Sequence, residues 1–290
     1  MKPNFSKVAL ILLPLSLANV SYAGVLTLDY TNTLSNQLSD TNSNFHPQGL
    51  GYDTSSNELL FMQQSAQKIF KTDLNGFVTG SVSTGYHHNT SVAADGSNYY
   101  FSDYTGNASY RDLYSIDKST NSVSQLSAEI AAYGGYPIDV RDGQLYRTNN
   151  STTYNWSNLS QIRISDVNDV DNILNTVTLA TAIGIGDIAI DASRNNVWTL
   201  DYTAGALLRQ FDLTTGLELS NYDLGLDGLT AGLTYANDTL YYYDWKSGSG
   251  STLSAYSMNG FSGTVPEPSI LALMGLGIFG LGMTRRKMKK

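Results

Sequence analysis

Short hydrophobic stretches recur along the middle of the chain, each bounded by Asp, Asn, Gly or Ser. One unit repeats: an apolar strand, a polar turn, a strand of aromatic or aliphatic residues, a variable loop and a third strand. Runs of this length between turn formers predict β-strands rather than helices. The strand-turn-strand part of the unit occurs five times, at residues 49–62, 91–101, 138–146, 188–200 and 232–243.

The spacing of these units indicates the architecture. At the end of the second strand the copies lie 40, 46, 52 and 43 residues apart, and this spacing with three or four short strands per unit is typical of a β-propeller blade. Fourth strands are predicted at 77–83, 123–126, 173–179 and 217–222. We therefore predict an all-β fold, a propeller of five blades over residues 24–264, with six as the alternative count. A β-sandwich would not require one unit to recur five times.

Residues 25–34 have no blade of their own. They are predicted to pair with the last blade and close the ring, which removes the exposed strand edges of an open repeat. The body as a whole resembles NHL-type and lactonase-like propellers in its pattern of strands and turns.

Composition and charge exclude several classes of function. The chain of 290 residues carries a net charge of −8, and residues 24–264 hold ten basic against 24 acidic residues. This acidic body excludes a nucleic-acid binder, which needs the opposite sign. The absence of Cys excludes disulfides, thiolate zinc sites and a Cys nucleophile.

The N-terminus has the pattern of a secretory signal. Lys2 and Lys7 precede an apolar run at 8–17, and Ser21 and Ala23 lie three and one residues before a predicted cut at Gly24. The apolar run is too short to cross a bilayer of about 30 Å as an uncleaved anchor. Residues 1–23 are therefore predicted to be a signal peptide, used by the Sec translocon and signal peptidase.

The C-terminal sequence predicts an interruption of regular structure, then a membrane helix and then a basic anchor. Val265-Pro266-Glu267-Pro268 is followed by the apolar segment 270–283 and then by Arg285 and Arg286. The prolines interrupt regular pairing, the segment predicts a short single transmembrane helix, and the basic residues keep their end in the cytoplasm. Residues 265–290 are therefore predicted to form a separate sorting segment.

This tail resembles the PEP-CTERM sorting signal of Gram-negative bacteria. Pro266-Glu267-Pro268, the apolar helix and Arg285-Arg286 match that signal in order and position. The resemblance implies recognition by an exosortase, transient anchoring in the inner membrane, cleavage near the motif, and delivery to the cell surface or extracellular matrix. A permanent one-helix anchor is the alternative.

The propeller geometry groups residues that are distant in sequence. Connections that lead into first strands and out of second strands share one face of the ring, which we call the connection face. His46 and His88 fall at equivalent positions before first strands, and Asp187 lies near that position in a later blade. Imidazole and carboxylate groups of this kind predict a divalent metal as one option. The calcium-like run 166–171 is interpreted as an acidic turn on the opposite face.

An Asp followed by an aromatic residue ends the second strand of three blades. The pairs are Asp103-Tyr104, Asp201-Tyr202 and Asp244-Trp245. Tyr154 and Trp156 lie in a long polar loop of the same face. Aromatic rings beside hydrogen-bonding groups favour stacking on sugar rings. The alternative is structural, with each Asp capping a backbone turn and each ring packing between blades.

Two functions follow from these alternatives. The first is a surface or matrix protein, without catalysis or cofactor, whose propeller binds polysaccharide or another surface protein. The second is an exported metal-dependent hydrolase or lyase of the lactonase-like type. The chain has three His and no phosphate loop, HExxH pair or GxSxG motif, which favours the first.

Overall fold

The computed structural model describes twelve parts of the chain: residues 25–35, 38, 49–63, 67–86, 89–103, 112–127, 137–149, 159–184, 187–201, 207–225, 231–244 and 250–259. They all belong to one compact unit, Ala23–Phe261. The predicted signal peptide, the sorting segment and its helix lie outside the described residues.

The described residues form twenty β-strands and one 3-10 turn, Ala192–Arg194. In chain order the strands are β1 (Val25–Thr33), β2 (Leu50–Asp53), β3 (Glu58–Gln63), β4 (Lys68–Thr72), β5 (Val78–Ser83), β6 (Asn89–Ala94), β7 (Asn98–Asp103), β8 (Asp112–Asp117), β9 (Val123–Ser127), β10 (Ile138–Arg141), β11 (Gln144–Asn149), β12 (Leu159–Asp166), β13 (Asp169–Ile183), β14 (Ile188–Asp191), β15 (Asn196–Asp201), β16 (Leu207–Asp212), β17 (Glu218–Asp223), β18 (Ala231–Ala236), β19 (Thr239–Asp244) and β20 (Thr252–Asn259).

These strands form five antiparallel sheets of four strands each. The first four blades are β2 to β5, β6 to β9, β10 to β13 and β14 to β17, each in sequence order. The innermost strands β2, β6, β10, β14 and β18 contact one another in a closed ring around the axis. The five-blade prediction is confirmed, and the alternative of six blades is wrong.

The fifth blade is built from both ends of the body. It has the order β18-β19-β20-β1, and β1 pairs with β20 from Val25 opposite Asn259 to Thr33 opposite Thr252. The prediction that residues 25–34 close the ring is therefore confirmed. Closure gives the last sheet its outer strand, so main-chain hydrogen bonds hold the N-terminal strand of the body in the blade formed by its C-terminal strands.

The hydrophobic core is divided into five clusters, and each lies between two neighbouring blades. Successive residues of a strand point to opposite sides of the sheet. A second strand such as β19 therefore reads as a continuous apolar run, because Leu240 and Tyr242 pack toward the fourth blade while Tyr241 and Tyr243 pack toward the first. Burial on both sides explains why these strands do not alternate with polar residues.

Small residues allow the inner strands to approach. A Cβ on Gly51 would lie 2.5 Å from the carbonyl oxygen of Val92, and a Cβ on Gly232 would lie 2.5 Å from Cβ of Leu50. Neither contact is sterically possible for a larger residue without moving the backbone. The two glycines therefore fix the close spacing of the first blade against its neighbours on both sides.

The turns opposite the connection face are short, and most of them are capped by Asp. Oδ1 of Asp117, for example, accepts the N–H groups of Ser119 and Thr120 at 2.9 and 2.8 Å. Equivalent turn bonds are made by Asp53, Asp73, Asp95, Asp166, Asp191 and Asp212. The interpretation of 166–171 as a turn is confirmed, since Val167 and Asn168 join β12 to β13.

Candidate functional site

The connection face carries most of the residues singled out in the sequence. Seven of them lie outside the described residues: Tyr104, Tyr202, Trp245, Tyr154, Trp156, His46 and His88. Their proposed stacking and metal-binding roles stay predictions. The structure describes the strands that lead to them and the four acidic residues Asp103, Asp201, Asp244 and Asp187.

Three of these carboxylates end second strands at the connection face and are buried: Asp103, Asp201 and Asp244. Asp201 binds within the protein. Its Oδ1 accepts the N–H of Gly184 at 2.9 Å, and its Oδ2 accepts Nε of Arg209 at 2.9 Å. Arg209 in turn contacts Glu218 at 2.9 Å. This arrangement supports the structural alternative for Asp201, since both of its oxygens hold neighbouring strands.

Asp187 lies at the axis, immediately before β14. Its Oδ2 accepts the backbone N–H groups of Leu50 at 3.1 Å and Leu233 at 3.0 Å, and its Oδ1 accepts that of Ile188 at 3.0 Å. The donors belong to the first, fifth and fourth blades. They are on the inner edges of the sheets, where no further strand can pair with them. One carboxylate therefore joins three blades.

Asp139 and Arg141 lie on the innermost strand β10. Together with Asp187 they form a group of charged residues that we call the polar column. Asp139 accepts the N–H of Ile190 through Oδ2 and that of Val140 through Oδ1, both at 2.8 Å. Arg141 lies 3.2 Å from the Asp139 carboxylate and donates to the carbonyl of Tyr235 at 2.9 Å. Inner-edge N–H groups of the first, third, fourth and fifth blades thus bind Asp, and an inner-edge carbonyl of the fifth blade binds Arg, so these backbone groups have the partners that buried positions require.

Burial governs the electrostatics of this column. It raises the pKa of Asp187 to about 7, an effect that the negative charge of Asp139 increases and the three N–H bonds reduce. Burial also raises the pKa of Asp139, while Arg141 and two N–H bonds oppose the shift. Asp187 therefore changes its charge near neutral pH, at the point where three blades meet.

Asp187 is the metal candidate predicted from the sequence, whereas no role was predicted for Asp139 or Arg141. The available signal was two charged residues at alternate positions of an otherwise apolar first strand, Ile138-Asp139-Val140-Arg141. Within the described parts of the chain, no group of three His, Asp or Glu side chains could hold a metal ion. The same parts contain no helix long and apolar enough to cross a membrane.

Comparison with known proteins identifies a motif near the C-terminus. The family model described as the PEP-CTERM protein-sorting motif matches residues 264–287. The chain carries a PEP-CTERM sorting motif. The motif points to export, to a membrane-anchored sorting intermediate and to an exosortase as partner, as the sequence resemblance implied. No curated protein matches the sequence.

Solved structures share the fold of the propeller body. Glutaminyl cyclase of Myxococcus xanthus is 11% identical with a TM-score of 0.56, and the match covers 81% of this chain and 97% of that chain. A luciferin-regenerating enzyme is 12% identical with a TM-score of 0.51, and the match covers 81% and 98% of the two chains. At such identities the likeness establishes the propeller fold and nothing about chemistry.

Proposed function

We propose that the propeller is a binding module for an extracellular polysaccharide or a surface protein, delivered to the cell surface or matrix by its sorting motif. The main support for the proposal is that the connections between strands differ in length on the two faces of the ring. On the face opposite the connection face, strands are joined by at most five residues, whereas connections of the other face reach 16 residues between β1 and β2. Longer connections on a rigid scaffold are where recognition usually resides.

The chemistry of the connection-face segments favours a sugar ligand. Tyr104, Tyr202 and Trp245 each follow an Asp that ends a second strand, and Tyr154 and Trp156 lie among Ser, Thr and Asn. Aromatic rings supply a flat apolar surface, and amides and hydroxyls supply neutral hydrogen bonds. This combination suits a neutral sugar ring, and a protein ligand is the second possibility.

The route to the surface is the other part of the proposal. Residues 1–23 direct export through the Sec translocon and are removed by signal peptidase. The segment 270–283 then holds the chain in the inner membrane as a single helix, with Arg285 and Arg286 in the cytoplasm. An exosortase cleaves near Pro266-Glu267-Pro268 and releases the propeller.

Replacement of the motif tests this route. With Pro266, Glu267 and Pro268 changed to Ala in a host that has the exosortase, we expect the protein to remain uncut in the membrane fraction, because the recognition element is lost. Immunoblots of membrane and medium fractions measure this. Release equal to that of the parent protein would refute the proposal.

Replacement of two aromatic residues tests the recognition face. Trp245→Ala and Tyr202→Ala should each weaken polysaccharide binding by about 1 to 3 kcal/mol, a range typical of base–aromatic stacking that we take as the guide, while the melting temperature stays within about 2 °C. Glycan-array binding and thermal unfolding measure the two effects. Phe77→Ala is the control, because Phe77 is 71% exposed and lies in a turn opposite the connection face. Lost stability with intact binding, or no glycan binding by the parent, would reject the proposed face.

A further inference from the structure

Two arginines face each other across neighbouring strands of the third blade. Arg147 of β11 and Arg163 of β12 are direct partners in the antiparallel register, so their side chains emerge on the same side of the sheet, about 5 Å apart at Cβ. Like charges in this arrangement destabilise a sheet. The arrangement is unexpected in a body with ten basic and 24 acidic residues, where carboxylates are plentiful.

Arg147 is also buried. Its side chain faces the second blade, as Leu145 does two residues earlier, and the residue is only 4% exposed. Nη2 donates to the carbonyl of Val170 at 3.1 Å, while the buried Nε and Nη1 have no acceptor among the described residues. A desolvated guanidinium with unused N–H groups is costly unless an anion binds it.

The other arginines in the described parts of the chain have carboxylate partners. Arg141 contacts Asp139, Arg194 contacts Asp191 and Asp238, and Arg209 contacts Asp201 and Glu218, all within 3.2 Å. Within the same parts, neither Arg147 nor Arg163 has a carboxylate within ion-pair distance. The two unpaired arginines are thus the two that share one side of β11 and β12.

The charged groups around Arg147 and Arg163 indicate which charge a ligand of these two arginines should carry. Asp171 is close enough to favour the charged form of Arg147, but its Oδ1 accepts the hydroxyl of Ser127 at 2.9 Å. Burial and the charge of Arg163 lower the pKa of Arg147 to about 10, so Arg147 remains charged at pH 7. Two positive charges and one negative charge leave an excess of one, which a monovalent anion would balance.

Two further features suit a ligand at this place. Arg163 is partly exposed, which gives the pair an approach from solvent. Ser165, two residues after Arg163 and on the same side of the sheet, has a buried hydroxyl with no partner in the part of the chain that the structure describes. A planar carboxylate matches the guanidinium geometry and can accept several N–H bonds at once.

We propose that the interface of the second and third blades binds a carboxylate group, with Arg147 as its main ligand and Arg163 as the second cation. The carboxylate could belong to a free small acid or to a uronic acid unit of a polysaccharide. The proposal rests on Arg147 and Arg163 and does not depend on the role of the aromatic residues of the connection face.

Thermal unfolding of the purified full-length protein at pH 7 tests the proposal. We expect sodium acetate or sodium glucuronate, at about 100 times the dissociation constant, to raise Tm by about 5 °C over sodium chloride of equal ionic strength. Arg147→Met and Arg163→Gln should abolish this rise. Lys68→Gln, which removes one exposed positive charge from β4, should retain it.

The outcomes separate the sources and the alternatives. An equal rise with acetate and glucuronate assigns the site to small carboxylates, and a larger rise with glucuronate assigns it to uronic acid units. If Arg147→Met does not fold, Arg163→Gln carries the test, because Arg163 is only partly buried. No carboxylate-specific rise, an equal rise with phosphate, or an undiminished rise in both arginine variants would overturn the proposal.

Discussion

The axis and the interface of the second and third blades both bury charged side chains, with opposite results. At the axis, Asp187 accepts three N–H bonds and Arg141 joins a carboxylate and backbone carbonyls. At the interface, Arg147 uses one of its donors and lies opposite Arg163. A buried charge with a structural role has hydrogen-bond partners from several blades. A buried charge without such partners is a candidate for ligand binding.

The largest effect is expected from Asp187→Ala. The change leaves the N–H groups of Leu50, Leu233 and Ile188 without an acceptor at the junction of three blades. We expect the free energy of unfolding to fall by about 3 to 5 kcal/mol, measured by urea denaturation. Asp212→Ala, which removes one partly exposed turn cap, is the control and should cost about 1 kcal/mol. A loss at Asp187 no larger than that of the control would contradict the structural role of the axis.

An intermediate effect is expected from pH. The pKa of Asp187 is raised from 3.8 to about 7 in the folded protein, so the folded state binds the proton more tightly than the unfolded state. The stability contribution of Asp187 is therefore complete below about pH 4 and is lost as the pH rises to about 7. Between pH 5 and pH 8 we expect a decrease of about 2 to 4 kcal/mol.

Urea denaturation at several pH values measures this slope. Asp187→Asn is the matched variant, since it keeps the size of the side chain and removes its titration. The variant should be less stable overall but should show a flatter profile over the same interval. Parallel profiles for the two proteins would assign the slope to another group.

The smallest effect is expected from Arg147→Met in chloride buffer. Methionine fills a similar volume without a charge to desolvate, so the free energy of unfolding should stay unchanged or rise by up to about 2 kcal/mol. Urea denaturation beside Arg209→Met sharpens the contrast, because Arg209 holds Asp201 and Glu218 and its loss should be destabilising. A large loss of stability for Arg147→Met would show that the arginine has structural partners after all.

The repeat made most of the fold predictable from sequence. A second strand such as Leu240 to Tyr243 is recognisable because it is buried on both sides, and Asp-capped turns such as that at Asp117 mark the strand ends. The closing strand β1 was predictable because it had no blade of its own. These features depend on local patterns and on the need to cover sheet edges.

The roles of the charged residues were less predictable. Asp187 looked like a possible metal ligand because of its place before a first strand, yet its oxygens bind backbone N–H groups of three blades. Those donors are 137, 46 and one residues away in the chain. No local pattern specifies which distant N–H groups will surround a carboxylate.

The blade repeat, the closing strand at 25–34 and the sorting motif at 264–287 could be predicted from the sequence, because each occupies one contiguous segment. The contacts of Asp187 with three blades, and the position of Arg147 opposite Arg163 with no acceptor for two of its donors among the described residues, become visible only in the folded chain. The physical reason is that burial and pairing depend on strand register and on the packing of blades, which bring together residues far apart in the chain.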